Sequence, residues 1–600
     1  MTWPYRIYFN HTTAEKDQRR ILLDRYGLYA QLSILIPIIL YNLYRLAIWV
    51  YFERQRSKVD YSALPSSPAL KKRRSSKRAT WARKGRSLAW WLAGDAKSGW
   101  GKRGHWIVAG LWGAWLAFLC VHRTGDDYFH ITKRFGIVAA SQLPAHYALS
   151  MKSLYSPLSV LFGSSHEQLN TWHRISGRVI WALLLCHASW YLNAFIQIGN
   201  LSEKLTTPII IFGVVSFQLI NLLIITSSKA VRRWSYRVFF IIHVFVAITI
   251  IPLLFFHAAP IRIYIIEAIA LFLIDIGIRK FTTFTAFATV RSVPKTSLLE
   301  ITIPVTDSKI SQFQYAPGQH VYLSIPPSSV PTSAKYNRHL HEFLYNPFTI
   351  ASVTDTPSPQ ITLTLRTLNG PTTSALSSLS HLSKARPPLN IEGPYGTSRK
   401  FPNLAEKFDR ILLVAGGVGA TFILPIYRAA KEAMENEGRQ NSTVRMIWVM
   451  RDAAESSWAL SPPTQTSSED VDEELKFENS NDADIELYIT SPQTSHSTAT
   501  SPSSSSPPHT STSTSTSTST HEPNNIEMHT LSTPSLPTPK KYSRPDLRAI
   551  VDETFTQGLE ERVAVLVCGP PGMAEELRSY VGMWVMRGRN VWWHDEGFGW

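Results

Sequence analysis

Cysteine is close to absent: Cys120, Cys186 and Cys568 are the three in 600 residues. An odd set so widely scattered supplies neither a disulfide framework nor the thiolate spacing of a metal site. Acidic residues are scarce in 53–103, where fifteen Lys and Arg meet three Asp and Glu, and the whole chain carries a net charge of +17. A run such as KKRRSSKR (71–78) would suit nucleic acid in isolation. Beside an apolar segment, a positive loop held on the cytoplasmic side is the better account, and no nucleic-acid partner is expected. The opening MTWPYRIYFNHTTAEKDQRR lacks the apolar stretch of a signal peptide, so insertion through the first span is expected.

What the chain does have is long apolar runs, confined to its first half. Six hundred residues exceed one ordinary core, and two halves of different character are visible. Runs long enough to cross about 30 Å of hydrocarbon occur at about 27–52, 104–122, 134–151, 172–198, 207–226, 235–258 and 260–280. Seven spans in contact with membrane lipid are therefore expected, the third weakened by Gln142, Pro144 and His146. The basic segments 53–103 and SSKAVRRWSYR (227–237) fall on one side. The Lys/Arg bias makes that side the cytoplasm, which puts the N-terminus outside and everything after 281 inside. The sequons at Asn10 and Asn200 then lie on the outer face, and the one at Asn441 lies inside.

Two histidines stand fourteen residues apart in the fourth span, His173 and His187, and two more at the same spacing in the sixth, His243 and His257. Fourteen residues are close to four helical turns and rise about 21 Å, so both rings of a pair leave one face. The two helices run in the same direction, which sets His173 level with His243 and His187 level with His257. A single intramembrane histidine is accounted for by a hydrogen bond within a bundle. Two matched levels call for paired imidazoles on two haem irons stacked across the bilayer. Arg174, Arg178, Arg232, Arg233 and Arg237, near the cytoplasmic ends, suit haem propionates and positive-inside anchoring equally well. His146 and His166 have no partner at matching depth and are assigned structural roles.

Beyond 281 the periodicity changes. FTAFATVRSV, LLEITIPV, HVYLSIP and ITLTLRTL alternate as strands of a small antiparallel barrel. From about 409, RILLVAGGVGA, VRMIWVM and RVAVLVCGPPGM are apolar strands interleaved with helical stretches, the pattern of a parallel α/β sheet. Gly416, Gly417 and Gly419, followed by Thr421 and a helix, let the backbone approach a pyrophosphate. Cys568, Gly569 and Pro570 form a second strand-to-turn segment in the same sheet. Arg451 and Arg544 could hold a 2′-phosphate, favouring NADPH over NADH, or be solvated surface arginines. In the barrel, Asn346, Pro347, Phe348 and Thr349 offer a strand along which a flat ring could lie, and Gly370, Thr372 and Thr373 open a helix fit for a pyrophosphate. Trp600 on the tail HDEGFGW could stack on an aromatic cofactor. Residues 491–538, ending in Ser-Thr and Pro repeats, cannot bury a core and are expected to be a disordered insertion.

In their order along the chain, these motifs resemble the fungal ferric-chelate reductases, relatives of the NADPH oxidases, over about 104–600 apart from the insertion. The four histidines match that family's haem ligands. EGPYG (392–396), GGVGAT (416–421), SRPD (543–546), CGPPGM and the ending FGW resemble its flavin- and NADPH-domain signatures. Asn346 stands where the family's flavin motif usually has His, and Ser543 where it usually has Gly. The resemblance implies an N-terminal extra span with a basic loop (1–103) and a di-haem membrane domain (104–281). A ferredoxin-reductase-like half follows, made of an FAD-binding β-barrel (282–402) and an NADPH-binding α/β domain (403–600). It implies FAD, NADPH and two b-type haems as cofactors, with electrons passing from cytoplasmic NADPH to FAD, to the inner haem, to the outer haem and on to an external Fe(III) chelate or Cu(II). The plasma membrane is the expected location. Reduction of O₂ to superoxide, and a haem membrane protein without enzymatic activity, are the alternatives. The loop HRTGDDYFH (122–130), with Asp126 and Asp127, either attracts a metal chelate or is a solvated turn.

Overall fold

A computed structural model describes residues 4–56, 77–96, 101–153, 156–330, 341, 344–355, 357–368, 370–381, 386–438, 443–460, 485–491, 540–556 and 561–597. Trp600, Asn441 and nearly all of the expected insertion lie outside the described residues. Among the described residues, five helical stretches are long and apolar enough to cross a bilayer: Thr13–Val50, Arg103–Val121, His166–Ile198, Pro208–Thr226 and Tyr236–His257. The remaining two expected spans differ in form. The third is two helices, Tyr128–Ser141 and Leu143–Ser150, broken at Gln142. Pro144 has no amide hydrogen to continue the first helix and begins the second instead, while the Gln142 side chain donates to the Ala30 carbonyl at 3.0 Å. The seventh, Arg262–Thr282, carries Glu267, Asp275, Arg279 and Lys280 and falls outside the five.

These helices share an apolar core that includes Leu116, Ile131, Val138, Ile180, Ile251 and Ile265, all buried. The N-terminal helix Thr13–Leu32 belongs to the same bundle. It approaches closely through Gly27, where a Cβ would lie 2.6 Å from the Tyr264 hydroxyl and 3.1 Å from Ile137.

Seven antiparallel strands follow: β1 (Phe284–Phe287), β2 (Thr289–Ser292), β3 (Leu298–Pro304), β4 (His320–Ser324), β5 (Asn346–Thr354), β6 (Gln360–Arg366) and β7 (Pro388–Tyr395), in the order β1-β7-β4-β5-β6-β3-β2. Alternation along β3 sends Leu299, Ile301 and Ile303 inward to meet Val321, Leu323, Leu363 and Ile391 in one core. A second, parallel sheet holds β8 (Arg410–Gly416), β9 (Thr443–Met450), β10 (Ile485–Ile489), β11 (Lys540–Lys541), β12 (Arg562–Cys568) and β13 (Asn590–Glu596), in the order β11-β10-β9-β8-β12-β13. From β8 the chain proceeds to β9 on one side and later returns to β12 on the other. The carboxyl ends of β8 and β12 therefore border the crevice where open α/β sheets bind nucleotides.

The described part of the basic loop does not extend freely. Its helix Lys77–Leu92 lies on the helix Pro571–Met586 that follows β12. Arg578 donates to the Trp90 carbonyl at 3.1 Å and covers its ring at 4.2 Å, and Gly582 leaves room for the indole, since a Cβ there would lie 2.8 Å from Trp90 Nε1.

Candidate functional site

The helix His166–Ile198 carries His173 and His187, and Tyr236–His257 carries His243 and His257. Equal spacing on two continuous helices becomes two levels in space. The ring centres of His173 and His243 are 6.2 Å apart, and those of His187 and His257 are 6.4 Å apart. An imidazole nitrogen binds a transition metal at about 2.0–2.1 Å, and about 1.1 Å more reaches the ring centre, so two rings sharing one metal stand about 6.3 Å apart. Both levels meet that spacing.

The second nitrogen of each ring is already used. Nδ1 of His173 donates to the His146 carbonyl at 3.0 Å, that of His187 to the Thr132 carbonyl at 2.8 Å, and that of His257 to the Ile209 carbonyl at 2.8 Å. His243 Nδ1 lies 3.3 Å from Ser227 Oγ. A proton held on Nδ1 leaves the Nε2 lone pair free, which is the state a metal requires. Among the described residues no group of three or more His, Cys, Asp and Glu could hold a bare ion. Paired histidines fit an iron whose other positions a macrocycle fills.

Glycine makes these approaches possible. A Cβ on Gly136 would lie 2.8 Å from the His187 ring, and one on Gly213 would lie 2.5 Å from the His257 ring. His146 has a part that sequence did not disclose: its ring stacks on His173 at 4.0 Å, and its Nδ1 lies 2.8 Å from Ser176 Oγ. Sequence offered it no partner at matching depth, because the stacking depends on how two helices meet. His166 bonds the Met151 carbonyl at 3.1 Å, the structural role expected of it.

One cavity of about 3020 Å³ connects these levels to the soluble half. A pocket for one ligand has about 300–1,000 Å³, so this volume suits several groups in series. All four histidines line it, as do Arg174, Arg178, Arg232 and Arg237 but not Arg233. Asn346, Pro347, Phe348, Thr349, Gly370, Thr372 and Thr373 line its lower part, and Val418, Thr421, Glu596 and Gly597 close the far end. The two candidate flavin segments meet directly, because Asn346 Nδ2 donates to Thr372 Oγ1 at 2.6 Å. Thr373 Oγ1 donates to the Leu368 carbonyl at 2.6 Å and shapes the turn into the helix Pro371–Ser380.

The candidate nucleotide residues all follow carboxyl ends of parallel strands: Gly416, Gly417 and Gly419 after β8, Arg451 after β9, Arg544 after β11, and Gly569 and Pro570 after Cys568 at the end of β12. The two glycine turns touch, since a Cβ on Gly416 would lie 2.7 Å from Pro570 and 3.2 Å from Gly569. Gly417 has φ +54, a left-handed conformation suited to glycine. Its carbonyl accepts from Trp448 Nε1 at 3.0 Å, while Thr421 Oγ1 donates to the Val418 carbonyl at 2.9 Å. Arg451 and Arg544 are exposed beyond these turns. Burial, and then the nearby Glu596 carboxylate, push the Cys568 thiol well above its usual range, which keeps it protonated and unreactive.

The loop at 122–130 is an exposed turn at Arg123, Gly125 and Asp126, while Asp127 is buried beneath it. Asp127 caps the helix Tyr128–Ser141 by accepting from the His130 amide at 3.0 Å, and it pairs with Arg19. Asp126 accepts from the Tyr8 hydroxyl at 2.6 Å. Partners more than a hundred residues earlier in the chain occupy both carboxylates. The cavity near His187 is lined instead by Lys16, Arg19, Arg20 and Lys133.

Three family models match in succession: a ferric reductase like transmembrane component at 135–254, an FAD-binding domain at 282–399 and a ferric reductase NAD binding domain at 408–582. A probable metalloreductase AIM14 of Scheffersomyces stipitis is 27% identical over 382 residues, covering 62% of this chain and 65% of the relative. A probable cell surface ferric reductase kap2 of Aspergillus oryzae is 26% identical, covering 54% of this chain and 44% of the relative. The chain thus matches less than two thirds of the length of either relative. A flavohemoglobin structure from Malassezia yamatoensis, with bound FAD and heme, covers 77% of this chain and 96% of its own at 12% identity and a TM-score of 0.31. That score is too low to define a shared fold.

Proposed function

Because the chain belongs to the ferric reductase family, with transmembrane component, FAD-binding domain and NAD-binding domain on one polypeptide, we propose that it is a plasma-membrane metalloreductase moving electrons from cytoplasmic NADPH to an external Fe(III) chelate. The observation that carries this reading is the doubled histidine geometry, 6.2 and 6.4 Å at two levels of a cavity that continues to the flavin segments.

Each element has a stated task. The turns at Gly416–Gly419 and Cys568–Pro570 approach the NADPH pyrophosphate at the start of the helix Ala420–Asn436, while Arg451 and Arg544 meet the 2′-phosphate. Asn346, Pro347, Phe348 and Thr349, together with Gly370, Thr372 and Thr373, would hold FAD, which would supply the exchange between a hydride and single electrons. His173 with His243, and His187 with His257, would hold two b-type haems, which would supply one-electron stations within the bilayer. The carbonyls of His146, Thr132 and Ile209 fix ring orientation and raise the basicity of the ligating nitrogens. At the outer end, Lys16, Arg20 and Lys133 line the cavity together with Arg19, which is paired with Asp127, so cations outnumber the one carboxylate beside them. Such a mouth favours an anionic Fe(III) chelate, or Cu(II) in an anionic complex, over a bare cation. Asn10 and Asn200 lie on this same outer side, where glycosylation can reach them.

Washed cells expressing the protein test the reading. Supplied with Fe(III) chelate and an impermeant ferrous indicator, they should reduce iron at a rate that superoxide dismutase leaves unchanged. Complete suppression by the dismutase would assign the electrons to O₂ instead. The double variant Arg451→Ala, Arg544→Ala should raise KM for NADPH at least about tenfold and leave NADH unaffected, since a hydrogen bond to a charged group is worth about 1.5–3 kcal/mol. Steady-state kinetics with a dye reduced at the flavin measures both.

A further inference from the structure

EGPYG resembles a flavin-domain signature, yet its glutamate faces the membrane bundle. Arg279, in the last turn of the helix Arg262–Thr282, forks onto both oxygens of Glu392 in β7, at 2.8 and 3.0 Å. Tyr395 donates to the same carboxylate at 2.9 Å, and Glu392 is 1% exposed. Burial alone would raise this carboxyl, but the hydrogen bonds and charge of Arg279 hold it below its usual range, so it is ionised at neutral pH. A second bridge lies beside the first: Glu167, in the first turn of the helix His166–Ile198, stands 3.2 Å from His320 Nε2 in β4. The Lys152 ammonium rests 4.1 Å over the Tyr322 ring of that strand.

The register shows what these bridges join. His320 lies opposite Thr349, the last of the four candidate flavin residues on β5, and on its other side opposite Tyr395 of β7. Glu167 precedes His173 by six residues on one helix. The Glu167–His320 contact therefore joins the strand beside the flavin strand to the helix of the inner histidine, with the Arg279–Glu392 fork alongside it. An Arg fork on a carboxylate constrains direction as well as distance, and a pair on each of two helices constrains tilt. Without such ties, packed domains move relative to one another by default.

We propose that Arg279–Glu392 and Glu167–His320 form a two-point latch that sets the flavin strand over the inner histidine pair, and so controls electron delivery into the membrane without touching hydride transfer from NADPH. These are positioning residues, and the proposal rests on the reading given under the proposed function. The test uses the full-length protein in nanodiscs, loaded with its cofactors. Arg279→Gln and Glu392→Gln should retain FAD by fluorescence and reduce a flavin-directed tetrazolium dye within about twofold of wild type. Anaerobic reduction of the haem absorbance bands by NADPH should slow by about 10²-fold, the cost of a displacement near 1 Å. The charge exchange Arg279→Glu with Glu392→Arg should restore much of that rate. Haem reduction as fast as wild type in both single variants overturns the latch. Equal loss of dye and haem reduction, or no rescue by the exchange, overturns it as well. If Glu392→Gln loses FAD, Glu167→Gln reads the same split, and loss of FAD there too assigns the pairs to folding alone. A wild-type protein whose haem bands NADPH does not reduce would overturn the reading of function itself, which separates the two failures.

Discussion

Replacing His187 with alanine abolishes reduction of external Fe(III) and leaves dye reduction at the flavin near wild type. His187 and His257 face each other at 6.4 Å, and the Thr132 carbonyl holds the His187 proton on Nδ1. Alanine removes the Nε2 lone pair at the outer level and touches nothing at the inner one, four helical turns away. Losing an outer partner of a metal-bound histidine already costs about 10–100-fold in affinity, so losing the ligand should cost more than about 100-fold. Haem content should fall from two to one per chain, measured by pyridine haemochrome. NADPH-driven dye reduction in permeabilised cells should stay within about twofold, because hydride transfer and flavin reoxidation lie before the change. His173→Ala gives the contrasting result: external reduction is lost although the outer ligands are intact. A His187→Ala protein that still reduced external iron normally would refute the two-level arrangement.

The levels were legible from sequence because they follow from helical rise. Fourteen residues on a continuous helix have one outcome, and neither His173–His187 nor His243–His257 is interrupted enough to change it, although Pro252 lies in the second. Strand alternation located β3, β4 and β6 for the same reason, and the glycine turns after β8 and β12 were visible as apolar runs ending in glycine. Where a break occurred, at Gln142 and Pro144, the weakening residues were plain but their consequence was not. A bilayer-length run and two short helices have similar composition.

What stayed illegible depends on contacts between distant segments. Asp126 and Asp127 in a loop look free, and only the arrival of Tyr8 and Arg19 from the N-terminal segment shows them occupied. The carbonyls that orient the histidines belong to ordinary residues, Thr132 and Ile209, which no motif marks. Gly136 and Gly213 were unremarked for the same reason, since nothing local requires glycine there. Glu392 was visible as part of a motif, but its partner Arg279 lies 113 residues earlier on a membrane helix. Asn346 in place of histidine became interpretable once Thr372 was found beside it. Its amide ties the two candidate flavin segments together, a task that needs a hydrogen-bond donor and no ring.

The second large effect is expected at Gly419. Its backbone is ordinary, φ -58 and ψ -17, so alanine meets no conformational penalty there. The objection is steric: a Cβ would lie 2.2 Å from the Cys568 carbonyl oxygen and 2.8 Å from its carbonyl carbon. Both contacts are backbone, and β12 is fixed at that point by its pairing with β8, Cys568 opposite Ala415. Relief requires the two glycine turns to part, which would spoil the surface proposed to receive the pyrophosphate. Overpacking costs about 1–3 kcal/mol in general, and a site closed by paired backbone should stand at the upper end. Gly419→Ala should therefore raise KM for NADPH more than about tenfold and lower the melting temperature, while dithionite still reduces both haems. Gly572→Ala is the matched control, in the first turn of the helix Pro571–Met586 with nothing within 4 Å of its added Cβ. There the same methyl should stabilise by about 0.4–1 kcal/mol by restricting the unfolded chain. Opposite signs from one chemical change would show that Gly419 is required by the approach of two backbones at the nucleotide crevice, and that helix propensity plays no part.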